Sequence, residues 1–401
     1  MDFEFIKQVV KPTNTKIVML IMDGLGGLPE KPGGKTELEA ARTPNLDKLA
    51  EEGVCGLHEP VGPGIIPGSG PSHLAVFGYD PIAHNVGRGV LSALGVDFDL
   101  KSSDVAARGN FCTLDKGGIV TDRRAGRIST ERNQELCSML KEIKLPGAEV
   151  FVQTEKEHRF LLVLRGEGLS DEINDTDPQE VGKKQIPPEP KSHEAKKTSD
   201  LLKEFLEKAH QKLSDSHPAN GILLRGFAMY PDWPSFQQVF GLKPAAIAAY
   251  PMYRGLAKLI GMEILQTPDD ISEEFGVLEK NWESYDFFYV HAKHIDSSGE
   301  DGNFKEKSRL IEEVDEHVPR LRKLNPDVII VTGDHSTPSL MKSHSWHPVP
   351  VLLWSPLCRP DNIKRFGERD CIAGGLGARF PAVNLMPLAL AHAGRLGKFG
   401  A

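Results

Sequence analysis

A continuous apolar strand over residues 16–22 stops abruptly at Asp23-Gly-Leu-Gly-Gly. An unbroken apolar run suits a parallel strand buried on both faces, and ligands gather at the carboxyl ends of such strands. Next, Thr43 reads as an N-cap and Pro44 as the first helical residue, with Leu46, Leu49 and Ala50 forming an apolar face and Gly53 closing the helix. Residues 67–79 begin as a Gly-Ser-Gly-Pro turn. There Ser72 is expected to cap a short helix over 73–77, placing Ser69 at or just before its N-terminus, where backbone N–H groups favour anions.

The texture changes between about 95 and 234. Short alternating segments at 149–153 and 158–164 are separated by polar turns. A Lys/Pro/Glu-rich tract over 183–197 is expected to be a mobile loop, and 201–213 reads as an amphipathic helix. From about 240 an α/β rhythm resumes. Strands are predicted at 245–249, 286–292, 327–332 and 350–354, with helices at 253–260 and 304–324, the last interrupted or kinked near Pro319. This alternation predicts an α/β fold: a mainly parallel sheet with helices on both faces, plus an inserted smaller α+β domain. The boundaries follow as 1–94 with 238–401 for a discontinuous catalytic domain and 95–237 for an inserted cap.

Composition narrows the function. A chain of 401 residues is long for one domain, and a formal charge of −8 argues against a nucleic-acid partner. No apolar run is long enough to span a membrane, and the N-terminus lacks a signal-peptide pattern. The five cysteines are scattered and odd in number, which fits reduced thiols and a cytoplasmic location.

Chemistry concentrates after the strands: Asp23; Asp296 with Glu300; Asp334 with His335; and His344 with His347. Asp, Glu and His from several strand ends are what a two-metal site needs, and two cations can lower the pKa of a serine such as Ser69 during in-line phosphoryl transfer. Three other stretches carry no such signal. Asn174-Asp-Thr-Asp-Pro lacks EF-hand spacing and reads as a turn, Gly374-Gly-Leu-Gly as a loop, and Gly87-Arg-Gly-Val as the linker into the insert.

Asp23-Gly, Thr43-Pro-Asn-Leu-Asp-Lys-Leu-Ala, Gly68-Ser-Gly-Pro-Ser-His-Leu-Ala-Val-Phe-Gly-Tyr-Asp-Pro, Thr332-Gly-Asp-His-Ser-Thr-Pro and His344-Ser-Trp-His-Pro-Val-Pro occur together. In combination they resemble the alkaline phosphatase superfamily and, within it, the archaeal-type branch of the 2,3-bisphosphoglycerate-independent phosphoglycerate mutases. The likeness spans nearly the whole chain. It implies an isomerase of glycolysis and gluconeogenesis that interconverts 3-phosphoglycerate and 2-phosphoglycerate through a phosphoserine on Ser69. Asp23, Ser69, Asp334 and His335 would bind one divalent cation, and Asp296 and His344 the other. Manganese is the first expectation, with zinc, cobalt or magnesium as alternatives. Where the family has a histidine this chain has Glu300, a competent manganese ligand; His347 or His291 are the alternatives. Lys293 matches the family's active-site lysine. In the insert, Arg123 best matches its substrate-binding Asp-Arg, with Asp122, Arg124 and Arg127 as close candidates and Arg108 a weaker one; Arg forks suit carboxylate and phosphate. The implied partner is a small phosphorylated acid, with no nucleic acid or membrane, and a homo-oligomer stays open. The rivals are a phosphatase or phosphonate hydrolase of the same superfamily, a phosphopentose mutase, and an inactive metal-binding regulator.

Overall fold

The computed structural model describes residues 2–400. Thirteen strands are numbered in chain order. β1 (Ile17–Met22) and β2 (Val54–Glu59) come first. β3 (Asp104–Leu114), β4 (Val120–Asp122), β5 (Glu149–Lys156), β6 (Arg159–Arg165) and β7 (Gly221–Met229) follow. β8 (Pro244–Ile247), β9 (Glu263–Leu265), β10 (Phe287–Ala292), β11 (Val328–Thr332), β12 (Val349–Trp354) and β13 (Gly377–Pro381) complete the set. The chain divides into two compact units, residues 1–85 with 233–401, and residues 86–232.

The first unit is built on an eight-stranded sheet in the order β13-β2-β12-β11-β1-β10-β8-β9. At its centre β1 pairs in parallel with both β10 and β11. All three are buried along their whole length, which accounts for their uninterrupted apolar sequences. Only β12 runs against its neighbours, antiparallel to β11 and to β2. Its first residue therefore lies at the edge where β1, β2, β10 and β11 end. Every loop at that edge, including the 333–348 connection, opens on the same side of the sheet. A core of Val, Leu, Ile and Phe from these strands packs against the apolar faces of helices Pro44–Glu52, Ile271–Asn281 and Phe304–Lys323.

Two local expectations are corrected in this unit, and a third, the Thr43 N-cap, holds. The helix after the serine turn spans Ser69–Val76 with Gly68 as N-cap. Ser72 therefore sits inside it, and its hydroxyl bonds back to the Gly68 carbonyl at 2.7 Å. The helix Phe304–Lys323 runs through Pro319 as one element. The Asp315 carbonyl, which residue 319 would normally satisfy, accepts from Asn45 Nδ2 at 3.1 Å instead. Thr43 holds the N-cap position of its helix without a side-chain cap bond.

The second unit has a five-stranded antiparallel sheet, β4-β3-β6-β5 with β7 beside β3. Helices Thr130–Lys141 and Lys196–Leu213 share its apolar core. Gly87-Arg-Gly-Val is not a linker but the start of a helix, Arg88–Gly95. Its glycines reflect close packing on β3: a Cβ at Gly89 would lie 2.1 Å from the Ala106 carbonyl oxygen. The 183–197 tract is held to the unit, with Lys183 O accepting from Val120 N at 2.9 Å, Gln185 Nε2 donating to Ile222 O at 2.8 Å and Pro188 O accepting from Ser199 Oγ at 2.6 Å. Among the described residues, no helix is long and apolar enough to cross a membrane.

Candidate functional site

The first unit brings most of the polar strand-end residues together. Asp23 follows β1, Asp296 lies in the helix His294–Glu300 after β10, and Asp334, His335 and His344 lie in the loop between β11 and β12. Two groups of donor atoms result, each within 4.8 Å: Asp23 with Asp334 and His335, and Asp296 with His335 and His344. His335 Nε2 stands 3.1 Å from Asp334 Oδ2 and 3.6 Å from Asp23 Oδ1, while His344 Nε2 stands 3.7 Å from Asp296 Oδ1. The two imidazoles stack with centroids 3.6 Å apart. Ser69 Oγ, at the first turn of its helix, lies 3.4 Å from His335 Nε2.

Hydrogen bonds fix the proton positions. Thr337 Oγ1 donates its one proton to Asp296 Oδ1 at 2.7 Å, so its 3.0 Å contact with His335 Nδ1 requires that nitrogen to be the donor. His344 Nδ1 faces the Pro67 carbonyl at 2.9 Å, which can only accept. Both rings therefore use Nδ1 as the donor and turn Nε2 to the carboxylates, the orientation a metal ligand needs. Burial lowers the pKa of His335, which keeps it neutral. Asp23 is fully buried, and although Lys293 Nζ lies 3.1 Å from Oδ2, no well-directed hydrogen bond reaches either carboxylate oxygen. Burial pushes its pKa up, but the His291 ring and the Lys293 ammonium prevail and hold it well below the carboxylate range. A buried, ionised carboxylate with unused lone pairs, beside two oriented imidazoles, fits one or two divalent cations.

The remaining candidates sit around these groups. Lys293 Nζ lies 2.7 Å from Asp296 Oδ2 and 3.1 Å from Asp23 Oδ2. Glu300 is on the rim, with Oε1 3.9 Å from His344 Nε2 and its side chain 54% exposed, outside both donor groups. His291 is buried under Asp23 at 3.4 Å and packs on Tyr253, with ring centroids 4.0 Å apart. His347 turns Nδ1 to Ser345 Oγ at 3.0 Å and joins neither group. His73 donates from Nδ1 to the Ser69 carbonyl at 2.9 Å and pairs with Asp334 Oδ2 at 3.1 Å.

In the second unit the Arg-rich segment separates into distinct environments. Arg123 Nε and Nη2 make a bidentate pair with the buried Asp177, at 2.9 and 2.7 Å. Arg225, from β7, comes within 4.0 Å of the same carboxylate, and its buried Nε lacks a partner. Burial and then the fields of Arg88, Arg108 and Arg123 lower its pKa against the opposing pull of Asp177, so Arg225 lies in the field of three other guanidiniums. Asp122 instead accepts from the Arg124 and Gly126 amides at 2.8 and 2.7 Å, which closes the turn, and Arg124 and Arg127 are exposed. No local pattern marks Arg88, Arg225 or Asp177 as members of this cluster. Thr337 was visible only as part of the Gly-Asp-His-Ser-Thr-Pro motif.

A family profile described as 2,3-bisphosphoglycerate-independent phosphoglycerate mutase matches residues 50–220. A Thermus thermophilus protein named as a probable 2,3-bisphosphoglycerate-independent phosphoglycerate mutase is 51% identical over 404 residues, covering 100% of this chain and 99% of that one. A Thermotoga maritima protein of the same name is 50% identical, with 99% of each chain covered. Among solved structures, a Pyrococcus horikoshii protein superposes with a TM-score of 0.80 at 30% identity, covering 96% of this chain and 99% of that one. The cofactor-independent phosphoglycerate mutase of Thermoplasma acidophilum gives 0.74 at 29% identity, covering 94% and 100%. Sharing half its residues with relatives along their full length, the chain belongs to the family of 2,3-bisphosphoglycerate-independent phosphoglycerate mutases.

Proposed function

We propose that the chain interconverts 3-phosphoglycerate and 2-phosphoglycerate without bisphosphoglycerate, by way of a phosphoserine on Ser69. The observation that carries this is the pair of pinned histidines, His335 with Nε2 towards the buried Asp23 and Asp334 and His344 with Nε2 towards Asp296, beside a serine at a helix N-terminus. Divalent cations bound there, one by Asp23, Ser69, Asp334 and His335 and one by Asp296 and His344, would acidify the serine hydroxyl and offset phosphoryl charge. Manganese suits this mix of carboxylate and imidazole, and Glu300, with Oε1 3.9 Å from His344 Nε2, is the further donor proposed for the second set.

The residues divide the work. Ser69 Oγ attacks phosphorus as the P–O bond to glycerate breaks, and the serine proton passes to the departing glycerate oxygen. The free N–H groups at the start of the Ser69–Val76 helix and the Lys293 ammonium hold the phosphoryl oxygens. Arg123 and Arg225 grip the glycerate carboxylate, so that glycerate turns over without escaping. Its other hydroxyl then attacks the phosphoserine, and the proton returns to Ser69. In this assignment the 86–232 unit serves as the substrate-binding insert and the other unit as the catalytic domain of an alkaline-phosphatase-like fold. A cytoplasmic enzyme whose partner is this small acid is the matching setting.

An enolase-coupled assay on 3-phosphoglycerate, with Mn²⁺ and no bisphosphoglycerate, tests the proposal while free phosphate is followed in parallel. Turnover that needs Mn²⁺ and is lost in Ser69→Ala, with little phosphate released, is the expected result. Phosphate released without 2-phosphoglycerate would mean a hydrolase.

A further inference from the structure

Lys307 is the least expected charge in the first unit. It sits near the start of the Phe304–Lys323 helix, where a lysine ordinarily faces water, yet it is completely buried. Its ammonium donates to three carbonyl oxygens: Gly24 at 2.8 Å, Gly26 at 3.0 Å and Thr337 at 2.8 Å. An ammonium has three donors, and all three are used. The acceptors belong to the two loops that carry Asp23 and the Asp334–His335 pair.

The same loops are joined at several other points. Thr337 N donates to Gly26 O at 3.0 Å, and Gly24 N donates to Asp334 Oδ1 at 3.1 Å. On the amide side, the buried Glu37 accepts from Leu28 N at 3.1 Å and from Ser339 N at 2.7 Å. Lys307 thus holds the carbonyls and Glu37 the amides of one seam. The seam has little slack, because a Cβ at Gly24 would meet Thr337 Oγ1 at 2.7 Å. Thr337 is also the residue whose hydroxyl orients both Asp296 and His335.

We propose that Lys307 is a positioning residue: an internal ammonium that fixes the Asp23 loop against the Thr337 loop, so that the donor groups are already in register before any cation binds. A helix packed on loops needs only an apolar side chain, and burying a charge is costly unless its hydrogen bonds are complete. Three carbonyls converging on one point would repel one another without a cation among them. Loss of the ammonium lets the loops part, which moves Asp23 away from His335.

This inference rests on reading the centre as a cation site. It is tested by titrating Mn²⁺ into metal-free wild type and Lys307→Met, following free Mn²⁺ by electron paramagnetic resonance. Circular dichroism and thermal unfolding check the fold first. The expected result is a folded variant with Mn²⁺ affinity at least tenfold weaker, a low kcat that recovers as Mn²⁺ is raised, and a KM for 3-phosphoglycerate within threefold of wild type. A folded variant with wild-type Mn²⁺ affinity overturns the proposal. If Lys307→Met does not fold, Lys307→Gln, which keeps part of the donor set without the charge, is read the same way. Failure of both to fold also overturns it, since the residue would then serve folding and not positioning. Wild type that binds Mn²⁺ without mutase turnover would remove the functional reading and leave this comparison intact; wild type that binds no Mn²⁺ would remove both.

Discussion

Replacing Glu274 with glutamine should make the protein more stable, and more so as pH rises. Glu274 lies in the helix Ile271–Asn281, is 2% exposed, and leaves Oε2 without a partner. It lines a cavity of about 100 Å³ shared with Asp269 and Asp270. Burial, and then those two carboxylates, push its pKa up to about 9. In the unfolded chain it would ionise near the ordinary glutamate value of about 4.3. For an acid whose folded pKa is raised, the associated stability is complete below the unfolded value and is lost as pH climbs towards the folded one. At pH 7 the folded protein keeps a proton that the unfolded chain releases, which at roughly 1.4 kcal/mol per unit amounts to about 4 kcal/mol. Glutamine is neutral in both states and escapes that loss. The four tryptophans, at 233, 282, 346 and 354, all belong to the unit formed by 1–85 with 233–401, so tryptophan fluorescence in urea reports that unit alone. Glu274→Gln should gain little at pH 4.5, about 4 kcal/mol at pH 7 and more at pH 8.5. A gain that is absent at pH 8.5, or equal at all three pH values, would refute the reasoning.

Other consequences can be checked separately. His58 is fully buried with its pKa lowered to about 4 by burial, so folding holds it neutral and its contribution is lost as pH falls from about 6.5 towards 4. His58→Leu should flatten that acid limb by up to about 3 kcal/mol in the same unfolding experiment. Thr337→Val removes the hydroxyl that sets the His335 tautomer, and Mn²⁺ affinity by direct titration should fall about tenfold, typical of lost outer-shell partners. Asp177→Asn removes the carboxylate charge that Arg123 and Arg225 share, which should raise the KM for 3-phosphoglycerate about tenfold with kcat less affected in steady-state assays.

The catalytic unit was legible where chemistry follows a long apolar run. Asp23, Asp296 and Asp334 stood out because each lies just beyond the end of a strand whose both faces are buried, where the ligands of α/β folds gather. The placement of His344 could not be read so directly, since nothing in Val349–Trp354 says that the strand runs antiparallel; its reversal is what brings the preceding loop to the same edge. Lys307 is invisible for a different reason. Its helix is charged along most of its length, and only the three converging carbonyls distinguish this lysine from its neighbours. In the insert, Arg123 stood out inside a run of arginines, whereas Arg225 is a single charge within a strand and Arg88 sits in a glycine-flanked segment that reads as a loop. Convergence of distant single charges is a property of topology, and local pattern does not carry it.

The position of β1 has a consequence for how the chain is made. The first strand synthesised lies at the middle of its sheet, and both partners, β10 and β11, begin about 270 and 310 residues later. On the ribosome, β1 must wait, with its apolar residues unpaired, until almost the whole polypeptide has emerged. Residues 86–232 are contiguous and can complete their own core during that interval. A truncated or stalled product would thus contain a finished insert while Asp23, Asp334 and His335 had yet to be brought together.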